Sequence, residues 1–98
     1  MAGKGLIAAQ EFCTYHHVEY TFINSLSEAG LIEVRVLDQG TYIPETELQK
    51  LERMARMHTE LEINLAGIEA ISHLLQRMES IQEETRSLRN RLRRYEED

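Results

Sequence analysis

Residues 8–43, AAQEFCTYHHVEYTFINSLSEAGLIEVRVLDQGTYI, decide the fold. Residues 8–15 read as a short helix with Phe12 on its buried side. Val18-Glu19-Tyr20 opens a second helix running to about Ala29, in which Phe22, Ile23 and Leu26 recur at helical spacing. Gly30 supplies its stop, just before Leu31-Ile32. Two short helices joined by a tight link describe a helix-turn-helix. Glu33-Val34-Arg35-Val36-Leu37 and Thr41-Tyr42-Ile43 are β-favouring runs on either side of Asp38-Gln39-Gly40, which is a hairpin signal. A helix-turn-helix followed at once by a small hairpin is a winged helix.

Working outward from that stretch, Pro44 is expected to start a new helix, where its missing N–H costs nothing and Glu45 and Glu47 suit the positive end of the dipole. Leu51, Met54, Met57 and Leu61 mark one face of that helix, Glu52 and Arg56 are placed for an i,i+4 pair, and the helix is expected to end near Glu62. Asn64 is the expected N-cap of a last, longest helix, with Ile63 and Leu65 packing the junction. This divides the chain into a winged helix-turn-helix with its closing helix, residues 1–62, and a long dimerisation helix, residues 63–98.

Along that last helix Leu74, Met78, Ile81, Thr85, Leu88, Leu92 and Tyr95 are separated alternately by 4 and 3 residues, a heptad seam with one polar member. At about 1.5 Å per residue the seam is roughly 30 Å long, more than a small winged helix can cover. A second chain is the expected cover, giving a homodimer; the alternative is a helical hairpin with residues 48–61 of the same chain. In a parallel pair Glu84 would meet Arg89 and Arg91 would meet Glu96, both attractive, so the charge pattern alone leans parallel, but exposed pairs contribute only tenths of a kcal/mol each and leave the direction open.

The chain has 98 residues, 17 Asp+Glu against 11 Lys+Arg, a net charge of −6 and 6% aromatics. That length argues for one core rather than two and against a large catalytic pocket. The single cysteine rules out an internal disulfide and a Cys-rich zinc site, so oligomerisation is the remaining common support for a small core. The opening ten residues are too short and too soon polar for a signal peptide, and no stretch approaches a membrane span, so a cytoplasmic home is expected.

Cys13, His16 and His17 lie close together, but His58 and His73 fall on other helices with no companion cysteine, so Cys13 is expected in the core and no metal or other cofactor is expected. No nucleophile with a recognisable base, glycine-rich phosphate loop or apolar carboxylate pair is present; the expectation is that the protein is not an enzyme.

A DNA-reading helix needs Arg, Lys, Asn or Gln near its N-terminal part and cations on phosphates. Residues 19–29 contain Glu19 and Glu28 but no Lys or Arg, and the wing offers only Arg35 beside Glu33 and Asp38. Residues 1–46 hold two cations, Lys4 and Arg35, against six carboxylates, a net −4 and the wrong sign for phosphate. Arg86, Arg89, Arg91, Arg93 and Arg94 are bracketed by Glu83, Glu84, Glu96, Glu97 and Asp98 and read as a coiled-coil tail of mixed charge. Acidity suits a basic protein partner. On charge alone Glu19, Glu28, Glu33 and Asp38 are its expected contacts, with Glu45 and Glu47 in support.

Glu11-Phe12-Cys13, the run Glu28-Ala29-Gly30-Leu31-Ile32 and a wing closing on Tyr42 resemble the MerR-type winged helix. The resemblance is closest to its chaperone-modulator branch, the CbpM family, whose most distinctive stretch is similar to residues 61–69, LEINLAGIE, and whose tail is similar to Leu88-Arg89 through Leu92. It covers nearly the whole chain. It implies a mainly α protein, a MerR-like winged helix-turn-helix followed by long helices ending in a coiled-coil dimerisation helix. It also implies binding to the J domain of a DnaJ-like, CbpA-type co-chaperone and inhibition of its stimulation of Hsp70. J domains of this kind present a basic helix to Hsp70, for which an acidic protein can compete. The alternative is a MerR-type DNA-binding transcriptional regulator. In MerR-type regulators the long helices pair antiparallel, and ligand-sensing members carry cysteines where this chain has Asn64 to Ile68, which disfavours a metal-responsive role.

Overall fold

The computed structural model describes residues 5–97. In chain order the elements are β1 (Leu6–Ala8), α1 (Ala9–His16), α2 (Tyr20–Glu28), β2 (Arg35–Leu37), β3 (Gly40–Pro44), a 3-10 turn (Glu45–Glu47), α3 (Leu48–Thr59) and α4 (Leu65–Glu97). The strands form an antiparallel sheet in the order β1-β3-β2. Lys4, one of the two cations counted in the first half of the sequence, lies outside the described residues.

The helix-turn-helix is held by local backbone geometry. His17 takes the left-handed conformation after α1 (φ 58°), and the Val18 N–H turns back to the Cys13 carbonyl at 3.1 Å. Gly30 does the same after α2 with φ 78°, where a Cβ would be strained, and the Leu31 N–H reaches the Leu26 carbonyl at 2.9 Å. Both closures throw an apolar residue, Val18 and Leu31, back into the core. That core gathers Phe12 from α1, Phe22, Ile23 and Leu26 from α2, Ile43 from β3, Leu51, Met54 and Met57 from α3, and Ile68 from α4.

Four boundaries differ from those read in the sequence. Leu6–Ala8 is a strand that sequence reading does not find: three residues are too few to show alternation, and Ile7 is held by pairing with Ile43. β2 begins at Arg35 rather than Glu33, because the Glu33 N–H donates to Glu47 Oε1 at 2.7 Å instead of to a neighbouring strand. Pro44 closes β3 opposite Leu6 and precedes a 3-10 turn, so the α-helix starts only at Leu48. α3 stops at Thr59, not near Glu62, and Leu61 is 67% exposed instead of continuing the buried face. The chain must reverse here: Glu62 is left-handed (φ 54°), and the Ile63 N–H bonds back to the Met57 carbonyl. Of the expected junction pair, Ile63 packs on the core and Leu65 stays exposed. Glu52 faces His16 across the helices, at 3.8 Å, rather than Arg56 along its own.

Asn64 caps α4, its Oδ1 accepting the Gly67 N–H at 2.8 Å. Ile68, Ile71 and Leu75 on the first turns of α4 pack against the winged-helix core, which therefore extends past residue 62. Beyond them α4 runs alone. Its 33 residues span about 50 Å, and the radius of gyration is 17.7 Å where a compact chain of this length would have about 13 Å. The intrachain hairpin is not formed: Leu74, Met78, Ile81, Leu88, Leu92 and Tyr95 are between 50% and 83% exposed, and Thr85 is exposed with them.

A Cβ on Gly67 would lie 2.6 Å from Ile63 Cγ2. Exchange of a helical glycine for alanine normally stabilises by about 1 kcal/mol. Here Gly67→Ala should lower the melting temperature in the native background and raise it in an Ile63→Ala background; a gain in both would show that the contact does not constrain the junction. Asn64→Ala should cost about 1 kcal/mol, a drop of roughly 4–8 °C in calorimetry.

Candidate protein-binding surface

In a winged helix the second helix and the wing form one outward face. On α2 the buried stripe is Phe22, Ile23 and Leu26, leaving Tyr20, Thr21, Asn24 and Glu28 outward. None carries a positive charge. The wing is tied to this helix by a 2.7 Å hydrogen bond between the Tyr20 and Thr41 hydroxyls. Thr41 is paired with Val36, so the two share a side of the sheet, and Val36 is 73% exposed beside that hydroxyl pair. Arg35 is paired with Tyr42 and belongs to the opposite side, where its guanidinium lies 3.8 Å from the Glu33 carboxylate. The surface presented by α2 and the wing is therefore a mixture of aromatic, aliphatic, neutral polar and acidic side chains with no cation on α2.

The six carboxylates expected to meet a partner do not form one cluster. Glu19 is the N-cap residue of α2 and accepts from the Thr21 hydroxyl at 3.3 Å, whereas Glu28 is the helix's last residue. Nine residues apart, they sit at opposite ends and, at 100° per residue, on opposite sides. Asp38 lies in the β2–β3 connection, in the left-handed conformation (φ 51°) that aspartate tolerates. Glu45 is exposed on the 3-10 turn, its N–H bonded to the Gly5 carbonyl at 2.6 Å. Glu47 is a brace: its side chain is only 16% exposed, accepts the Glu33 N–H and sits 3.4 Å from Lys50 Nζ. Glu33 in turn faces Arg35. Among the described residues, the outward carboxylates of the set with no cation beside them are Glu19, Glu28, Asp38 and Glu45.

Cys13 is half-buried against the core, and burial pushes its thiol above the usual range. His16 stacks on Phe12 with ring centroids 4.2 Å apart and turns its Nε2 toward Glu52. Among the described residues no three His, Cys, Asp or Glu side chains converge as a metal site would need. No described helix is long and apolar enough to cross a membrane.

Sequence reasoning missed the apolar exposure of Tyr15, Tyr20, Val36 and Leu37. For Tyr15 a signal existed: it is one position short of the Phe12–His16 pair and falls off the buried stripe of α1. For Val36 none did, because Val34-Arg35-Val36-Leu37 alternates only partly and Val34 does pack on the core.

A family model described as MerR HTH family regulatory protein matches residues 7–90. No curated protein matches the chain, and no solved structure does.

The raised thiol has a direct consequence. Iodoacetamide at pH 8 should alkylate Cys13 more slowly in the native protein than in urea, because less thiolate is present and access is partial. Equal rates by mass spectrometry would place Cys13 outside the core.

Proposed function

The chain belongs to the MerR HTH family of regulatory proteins, and within it we propose that this member is a protein-binding adaptor. It binds the J domain of a DnaJ-like, CbpA-type co-chaperone and inhibits that co-chaperone's stimulation of Hsp70. The observation that carries this reading is the face of α2 and the wing: no cation lies on α2, and the single arginine of the wing is paired with Glu33 on the far side of the sheet. A winged helix that holds DNA neutralises several phosphates with Lys and Arg there, and loses affinity steeply when those charges are absent. That face, with Tyr20 and Val36 exposed among carboxylates, repels nucleic acid and attracts a basic protein.

A J domain presenting a basic helix is the complementary partner. Opposite charge speeds its encounter with the acidic winged helix, and occupation of its basic helix denies that surface to Hsp70. The likeness of Glu11-Phe12-Cys13 and of residues 61–69 to the CbpM branch supports this partner over other basic proteins. The exposed heptad face of α4 supports a homodimer, in which Leu74, Met78, Ile81, Thr85, Leu88, Leu92 and Tyr95 pack against their equivalents. The protein carries out no reaction of its own and needs no cofactor, and it works in the cytoplasm beside its partner.

The competing reading, a transcriptional regulator, is favoured by the family's description as regulatory. Two measurements separate them. Calorimetry with the isolated J domain of a CbpA-type protein should give saturable binding that weakens with salt, and addition of the full chain should reduce J-domain-stimulated Hsp70 ATPase. A sequence-specific, salt-dependent shift of duplex DNA with no J-domain binding would reverse the assignment. For the dimer, Ile81→Asp with Leu88→Asp should halve the mass seen by light scattering with the helical signal of the winged helix kept; an unchanged mass would remove the seam.

A further inference from the structure

Away from the α2–wing face, a groove of about 850 Å³ opens between α1 and α3 at the β1 edge of the sheet. Its walls are built from helical i,i+4 pairs, which put both members of each pair on one side of a helix. Glu11 and Tyr15 form the outer wall of α1, Phe12 and His16 the inner, and Leu48 and Glu52 the wall of α3, with Ile7 of β1 at the base. Ile7 and Leu48 supply partly exposed apolar surface over the buried Phe12, and among the described residues no lysine or arginine lines the groove. The acids stand at its margins.

Two features show that the groove is not an accident of core packing. Tyr15 is 80% exposed, so its ring contributes little to the core, yet it is held edge-on against His16 at 4.9 Å between centroids. His16 is in turn fixed between the Phe12 ring and the Glu52 carboxylate. The result is a row of three rings, Phe12, His16 and Tyr15, running from the core to the surface, with Glu52 beside His16 and Glu11 also on the groove lining. A guanidinium or ammonium group laid on Tyr15 would meet a ring face and carboxylates within one helical turn, while an aliphatic side chain of the same helix could enter between Ile7 and Leu48. The cavity between α3 and residues 72–79 of α4 carries Lys50 and Arg53 beside Glu79 on its rim and offers no such match.

We infer that the α1–α3 groove is the docking site for a basic amphipathic helix of the partner, seated with its apolar side on Ile7 and Leu48 and its cations on Tyr15, Glu11 and Glu52. The inference rests on the functional reading above and specifies which surface of the chain does the binding. It assigns the α2–wing carboxylates a long-range role, attracting the partner without touching its helix.

The test is calorimetry of the full chain with the isolated J domain of a CbpA-type co-chaperone at low salt. Glu11→Lys with Glu52→Lys should weaken binding by about tenfold or more. Tyr15→Ala, which removes a side chain that the core does not use, should weaken it without change in melting temperature. Glu19→Lys with Glu28→Lys, the comparison pair on α2, should change the affinity by less than about threefold and should act on the association rate. Wild-type binding that survives all groove substitutions would overturn the groove and leave the functional reading standing. Absence of wild-type binding would overturn both.

Discussion

The direction in which α4 leaves the core is the constraint on which the rest of the structure depends, and it is set by a contact of one methyl group with a missing one. Ile63 can enter the core only because Gly67, one turn later, has no Cβ to meet its Cγ2. Asn64 between them holds the first turn of α4 closed on that isoleucine. His58 stacks on Phe22 at 4.4 Å and reaches toward the Ile63 carbonyl, tying the end of α3 to the same point. With Ile63 and Ile68 both seated, the first turns of α4 are committed to the core, and a rod of 33 residues must then project beyond it. Its apolar seam begins at Leu74, one residue before the last core contact at Leu75, so no described element of the same chain covers it.

Most of this was legible in the sequence because the decisive residues act locally. Phe22, Ile23 and Leu26 define α2 by spacing alone, Gly30 ends it, and Asn64 three residues before Gly67 announces a capped helix. The failures share a cause. Leu6–Ala8 is a strand only because β3 lies beside it, Pro44 stays extended because Leu6 is opposite, and Glu33 leaves the ladder because Glu47, fourteen residues on, takes its N–H. Each was decided by a partner distant in sequence, which periodicity cannot see. The candidate site was less legible for the same reason. Charge counting found that the winged helix is acidic, but it could not know that Glu33 and Glu47 are spent on Arg35, Lys50 and a backbone N–H, or that Glu19 and Glu28 look away from each other.

A helix-turn-helix is a way of presenting a short helix and a hairpin side by side, and nothing in that geometry is specific to nucleic acid. What makes such a face read DNA is the cation layer, and what remains without it is a shallow surface with one aromatic ring and a few aliphatic side chains. The chain belongs to that family and has its wing docked on α2 by a hydroxyl pair, while α2 carries no cation. An acidic surface over such a core is what the proposed partner would require, since buried positions answer to packing and exposed ones to whatever they touch.

The separation between diffuse charge and an apolar groove also fits the kinetics that the proposed competitor would need. Long-range attraction acts on the association rate and is weakened by salt, whereas the dissociation rate is governed by the close contacts that must be undone. An acidic head of net −4 serves the first without any carboxylate being in a fixed place, which is why its residues can be scattered over α2, the wing and the 3-10 turn. The second needs geometry, and among the surfaces of the winged helix the α1–α3 groove offers it: rings held in register by one another, aliphatic side chains at the base, and the Glu52 carboxylate held beside His16. Pairing two such heads through α4 would place two grooves on one particle, and a partner released from one would meet the other at high effective concentration. Dimerisation would then do more than stabilise a small chain; it would lengthen the time for which a basic helix is kept from its own target.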